Sequence, residues 1–221
     1  MNRIDSVLSA EEQKECPVTV WQTEIGADTE WAALTDRIEN KRKEYGETGP
    51  EILELYAAEN GVEAGEMLEL VKRLRRECFP DMPLVLRLSF HQVFRYGLEA
   101  FTDACTEAGV DGIRIPDLPM EEQPQLKVYL LKEGAPYLLQ EICPQSGDRI
   151  PDVTGYAKGY VCCTADPSLW DEQMEYGNML SFFLYAAEAV CPVPLILDFK
   201  NTDRDGMKQY LEMAAGLTVS I

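Results

Sequence analysis

Pro83-Leu-Val-Leu-Arg-Leu-Ser-Phe-His-Gln-Val-Phe-Arg-Tyr-Gly97 opens a stretch that closes with Glu107-Ala-Gly-Val-Asp-Gly-Ile-Arg-Ile-Pro-Asp-Leu-Pro-Met-Glu-Glu122. Residues 84–88 form a short apolar run of strand type, and 112–115 form a second. Between them 92–108 has helical period and stops at Gly109. Strand, helix and strand within this span make a βαβ unit. The same alternation continues outward. Strands are predicted at 18–22, 137–142, 159–163, 195–198 and 217–220. Helices are predicted at 29–43, 50–59, 64–77, 120–132, 148–158, 174–190 and 203–215. The helix at 29–43 has Asp28 or Thr29 as its cap. The one at 50–59 has Pro50 in its first turn and Asn60-Gly61 as its stop. Met67, Leu70, Val71 and Leu74 give 64–77 an apolar stripe. Alternating strands and helices mean parallel strands joined by crossover helices. No linker rich in Pro, Gly or Ser divides the chain, so residues 1–221 are read as a single domain. Both a (β/α)₈-type barrel and an open doubly wound sheet fit this pattern. The G-x-G-x-x-G and G-x-x-x-x-G-K-[ST] phosphate signatures are absent.

Composition narrows the function classes. Of 221 residues, 46% are hydrophobic, and 20 Lys and Arg face 39 Asp and Glu, for a net charge of −19. Such a chain lacks the basic clusters that nucleic-acid backbones require. No apolar run is long enough to span a membrane. Met1-Asn2-Arg3-Ile4-Asp5 does not read as a secretory signal. The seven cysteines are odd in number and include no Cys-x-x-Cys, which fits free thiols in a reducing cytoplasm. With one histidine, His91, no metal site is expected, and no cofactor motif is present. His91 reads as a structural hydrogen-bonding residue before a general base. Cys143 to Arg149 has the C-x₅-R spacing of cysteine phosphatases, a short and common pattern. Cys162 and Cys163 are adjacent in a strand, so one should line the interior and the other should pack outward.

The quoted stretch resembles the α chain of tryptophan synthase. In that family a strand P-L-V-x-x-x-Y is followed by N-P and then Y-G, and the next strand runs A-G-V-D-G-x-x-x-P-D-L-P-x-E-E. Cys143-Pro144-Gln145-Ser146 with Asp148-Arg149-Ile150 is similar to the family's A-P-T-S-x-D-R-I loop. Gly159-Tyr160-Val161 is similar to its following strand, and Met1-Asn2-Arg3-Ile4 to a common family start. The resemblance implies a (β/α)₈ barrel that cleaves indole-3-glycerol phosphate to indole and glyceraldehyde 3-phosphate. It also implies a partner, the pyridoxal-phosphate β chain. Such barrels act at the C-terminal ends of their strands.

Several family features are not matched. The family's catalytic glutamate lies on strand 2, in a motif like E-L-G-x-P-F-S-D-P-x-A-D-G-P, whose last aspartate polarises the indole nitrogen. Gly49-Pro50 matches the end of that motif, and Thr48 then stands where the aspartate would be. The helix at 29–43 runs almost directly into Gly49-Pro50, so strand 2 and its loop, about 15–20 residues by ordinary βα spacing, are expected to be missing. Glu47 and Thr48 are left as catalytic candidates, with Asp117 of the Pro-Asp-Leu-Pro block. The family's glycine-rich phosphate loops are replaced by Cys163-Thr164-Ala165 and by Asp198-Phe199-Lys200, and the chain stops at Ile221 where the family continues. The expected fold is therefore a reduced TIM-type α/β barrel of about seven parallel strands.

The ligand pocket is expected to involve Arg87, Ser89, Arg114, Cys162, Asp198 and Lys200. Arg87 and Arg114 stand where the family has apolar pocket residues, and Ser89 replaces the pocket tyrosine. Guanidinium groups inside a barrel need partners, for which Glu141 and Asp198 are candidates. Two outcomes follow: a self-neutralised ion network, or a site open to a small anion. The ancestral lyase activity is expected to be lost. The alternatives are a non-catalytic α-like chain that binds a β chain or a second copy of itself, and a barrel that binds a small anionic ligand through Arg87 and Arg114.

Overall fold

The computed structural model describes residues 2–8, 17–45, 49–57, 62–164, 166, 176–199 and 210–221. Eight parallel strands close into a barrel in sequence order. They are β1 (Val18–Ile25), β2 (Glu51–Ala57), β3 (Leu84–Arg87), β4 (Gly112–Arg114), β5 (Tyr137–Ile142), β6 (Val161–Thr164), β7 (Leu195–Asp198) and β8 (Gly216–Ser220). β8 pairs with β1 to complete the ring, with Val18 opposite Gly216 and Gln22 opposite Ser220. The helices are α1 (Arg3–Leu8), α2 (Trp31–Tyr45), α3 (Ala64–Glu77), α4 (Phe90–Tyr96), α5 (Leu98–Ala108), α6 (Pro124–Lys127), α7 (Ile150–Thr154) and α8 (Tyr176–Glu188).

Strand alternation sorts the side chains into two cores. Inside the barrel Val18, Val20, Ile52, Val85, Leu139, Cys162 and Ile196 pack together. Ile4 of α1 is fully buried among them and plugs the N-terminal end. Outside, Leu53 and Leu55 pack with Met67, Val71 and Leu74 of α3. Cys163 packs with Leu180 and Leu184 of α8. Cys162 and Cys163 thus face opposite sides, as adjacent strand residues must.

Asp111, just ahead of β4, ties the N-terminal face together. It accepts from Arg3 Nη1 at 3.0 Å, from Arg75 Nη2 at 2.7 Å and from the Leu84 amide at 2.9 Å. One side chain thereby links α1, α3 and β3.

The strand count departs from the expected seven. Residues 50–59, predicted as a helix, contain β2, whose seven residues pair in register with β1 from Thr19 opposite Glu51 to Ile25 opposite Ala57. Gly49-Pro50 lies before strand 2 and not after it. Residues 58–63 then join β2 to α3. The pattern misleads because a strand covered on both faces lacks period-2 alternation, and Pro50 suits the start of either element. Glu51 then locks the strand against its neighbours by accepting from Trp21 Nε1 at 2.8 Å and from Arg42 Nε at 3.0 Å. The end of the barrel is also present, since β8 pairs with both β7 and β1.

Three predicted helices are broken or shortened, and that at 148–158 keeps only the five-residue α7. The helix at 92–108 divides into α4 and α5 at Gly97, whose φ of 94° ends the first and begins the second. The segment at 120–132 holds only the four-residue α6 and a 3-10 turn at Tyr129–Leu131. The helix predicted at 203–215 falls mainly outside the described residues.

Candidate functional site

The C-terminal ends of the strands bring a charged layer to the mouth of the barrel. Its centre is Arg114 on β4, which is only 2% exposed. Its Nε donates to Glu141 Oε2 at 3.0 Å, and its Nη1 to both oxygens of Glu54 at 3.2 and 3.3 Å. Its Nη2 donates to Asp198 Oδ2. Every nitrogen of the guanidinium thus faces a carboxylate, on β5, β2 and β7 respectively.

Hydroxyl and amide groups complete the shell. Gln22 Nε2 donates to Glu54 at 3.0 Å, Thr218 Oγ1 to Asp198 Oδ1 at 3.0 Å, and Thr164 Oγ1 to Glu141 Oε1 at 2.7 Å. The Cys162 thiol lies 3.6 Å from Asp198 Oδ2. Burial pushes the Cys162 pKa up, which keeps the thiol protonated as a donor to that carboxylate. Burial alone would raise Asp198, but the charge and hydrogen bond of Arg114, with Thr218, hold its carboxyl below the usual range.

Arg87 lies at the rim, with its guanidinium carbon 4.2 Å from the centre of the Tyr56 ring. Its Nη1 is 3.7 Å from Glu54 and 4.0 Å from Asp198. Two guanidinium groups therefore meet three carboxylates, and the layer carries a small surplus of negative charge. That balance suits a self-neutralised network, and Arg114 has no free edge for a small anion.

The remaining predicted site residues have other placements. Ser89 caps α4 in a reciprocal box with Gln92, whose side-chain amide reaches Val62 O at 2.7 Å. Asp117 is exposed and accepts from the Phe90 amide at 2.7 Å, fastening the loop after β4 to the start of α4. Glu47, Thr48 and Lys200 lie outside the described residues. Beyond Arg114, a cavity of about 290 Å³ runs between the loops that follow β4 and β5, walled by Gln123, Cys143, Ser146 and Arg149. Arg149 is engaged by Glu121 and does not stand free over Cys143. No group of three or more His, Cys, Asp or Glu suited to a metal ion occurs among the described residues, nor does any helix long and apolar enough to cross a membrane.

Glu54 is the site residue that the sequence reading missed. It is fully buried and contacts both arginines. The signal available was the pair Glu54-Leu55, which resembles the start of the strand-2 motif and lay within a segment framed as a helix.

Comparison with known proteins agrees with this architecture. A sequence model of the tryptophan synthase alpha chain matches residues 48–220. The alpha chain of Alkaliphilus metalliredigens is 28% identical over 159 residues, which are 72% of this chain and 59% of the relative. That of Clostridium beijerinckii is 26% identical over 235 residues, covering 99% of this chain and 90% of the relative. The match thus spans less than two thirds of the first of these relatives and most of the second. The solved alpha chain of Legionella pneumophila superposes over 100% of this chain and 85% of its own, with a TM-score of 0.79 at 22% identity, a likeness of fold. By the family match over residues 48–220, the chain belongs to the tryptophan synthase alpha chain family.

Proposed function

We propose that this chain is an alpha-like barrel that no longer cleaves indole-3-glycerol phosphate and acts as a non-catalytic partner of a tryptophan synthase β chain. The observation that carries the loss is the Arg114 network. Glu54 stands on β2 with Leu55 after it, in the place of the family's strand-2 glutamate. It is closed to solvent, and both of its oxygens are held by Arg114. A general acid or base has to reach its proton on the substrate. Here the space for an apolar ring system holds Arg87, Arg114 and their carboxylates. Opening it would break charge-assisted hydrogen bonds and strand buried charges, at a cost of several kcal/mol. This is a change of residue chemistry and not of conformation, so loop closure does not restore the pocket.

The partner role is supported by family membership and by Phe94 and Tyr96 of α4, which stand 61% and 40% exposed beyond the end of β3. Exposed aromatic groups are common at protein interfaces. The test is an assay of indole release from indole-3-glycerol phosphate, with the chain alone and with a β chain added, alongside size-exclusion chromatography of the mixture. We expect no indole above the uncatalysed background and co-elution with the β chain. Indole release that disappears in Glu54→Gln would restore the lyase reading, and separate elution would remove the partner reading.

A further inference from the structure

The largest cavity described lies away from the mouth, at the N-terminal face. It follows from two short crossover helices. α6 has four residues and α7 has five, so neither covers the outer face of β5 as a full-length barrel helix would. A cavity of about 720 Å³ remains over Leu138, between the end of α5, the 3-10 turn at Tyr129–Leu131 and the segment leading into β6. This size suits a small organic molecule.

Its wall inverts the charge of the molecule. In a chain of net charge −19, the cavity is lined by Arg3, Lys127, Lys132 and Lys158, with Asp111 as its one carboxylate. Arg3 is committed to Asp111, and Lys132 to Asp103 and Glu99. Among the described lysines, Lys41, Lys43 and Lys72 also pair with glutamates. Lys127 and Lys158 have no carboxylate partner among the described residues, and both line this cavity. Lys127 is half-buried, and burial lowers its pKa, so its charge lacks full hydration. Lys158 Nζ lies 5.6 Å from the centre of the Tyr137 ring.

The rest of the lining is apolar. Leu130, Pro136 and Leu138 form the wall, and Leu131 and Tyr156 stand at the edge, 82% and 91% exposed. Unpaired cations beside an apolar wall fit an anion with an apolar body. Each lysine presents a compact point charge that pairs with a carboxylate as it does with other anions, and the apolar wall is what calls for an organic body on the anion.

We propose that this cavity binds an organic carboxylate, with its charged group at Lys127 and Lys158 and its apolar body against Leu130, Leu138 and Tyr156. The site lies on the face opposite the Arg114 layer and does not depend on the fate of the lyase reaction.

The test uses the full chain and two probes with the same apolar body, 4-phenylbutyrate and 4-phenylbutan-1-ol, titrated by calorimetry at low salt. The carboxylate is expected to bind at least tenfold more tightly than the alcohol, and to weaken as salt is raised. The double variant Lys127→Gln/Lys158→Gln should lose that preference, while Lys127→Arg/Lys158→Arg should keep it. Lys72→Gln, on the exposed face of α3, should leave binding unchanged. Circular dichroism and melting temperature confirm that each variant folds. Equal binding of the two probes, absence of binding by both, or a preference that survives the double Gln change would overturn the proposal. Inorganic phosphate binding as well as phenylbutyrate would overturn the apolar half of it.

Discussion

Arg114 shows how one residue can fix the chemistry of a barrel. It sits on β4, buried, with Glu54, Glu141 and Asp198 around it. Removing one partner of a buried ion pair leaves the others uncompensated, typically at about 3–5 kcal/mol. Arg114→Leu should therefore lose about that much stability at pH 7.5 in urea denaturation. The direction of its pH dependence follows from Asp198. With Arg114 present, the Asp198 pKa is depressed in the folded state, despite the burial that pushes it up. That contribution is present at neutral pH and is lost as the pH falls through the folded value. Without Arg114 the burial remains and the compensation does not. Asp198 of the variant then takes up a proton on mild acidification, and the variant's deficit relative to the parent should shrink between pH 7.5 and pH 5. A loss below about 1 kcal/mol, or a deficit constant across that range, would show that the network is not a closed ion cluster.

At the scale of elements, Asp111 is the fastening between α1, α3 and β3. Its two arginine partners differ in environment: the Arg75 side chain is 14% exposed and that of Arg3 is 42%. Asp111→Ala should cost about 3 kcal/mol, because it leaves Arg75 buried without its carboxylate and the Leu84 amide without its acceptor. Arg3→Ala, which removes the more exposed partner, should cost about 1 kcal/mol or less. Chemical denaturation of both variants checks the order, and equal losses would mean that the outer pair carries as much as the inner one. The charged layer was legible from sequence in part. The resemblance sets Arg87 and Arg114 in strand runs where the family has apolar pocket residues, and guanidinium groups inside a barrel need carboxylates, for which Glu141 and Asp198 were the candidates. Glu54 was not legible. Its strand is defined by seven register pairs with β1, contacts that no local pattern reports, and Pro50 with Asn60-Gly61 frames the same residues as a helix. The division of the helix at Gly97 and the shortness of α6 were hidden too, since periodicity marks a helical face more reliably than its ends, whereas Pro151 and Gly155 marked the segment of α7 as short and broken.

For the whole molecule the decisive event is closure, where β8 meets β1. Closure sets strand number, tilt and register together, so one badly placed atom at the seam affects the entire ring. Gly216 opens β8 directly opposite Val18. A Cβ built there would lie 2.1 Å from Val18 O and 2.8 Å from Val18 C. These are backbone atoms of the facing strand and cannot rotate aside as a side chain can. Gly216→Ala must push the two strands apart, losing the Val18 amide bond to Ala215 O at 2.8 Å. The expected cost is about 3 kcal/mol or more, toward the upper end for overpacking. Gly65 provides the opposite case. It lies inside α3, where a Cβ would meet only Tyr96 Cε2 at 3.5 Å, an ordinary contact. Gly65→Ala should stabilise the protein by about 0.5–1 kcal/mol through helix propensity. Urea denaturation of the two variants beside the parent separates the cases by sign. If Gly216→Ala stays within about 0.5 kcal/mol of the parent, the range of an ordinary surface change, then the seam is looser than this packing requires.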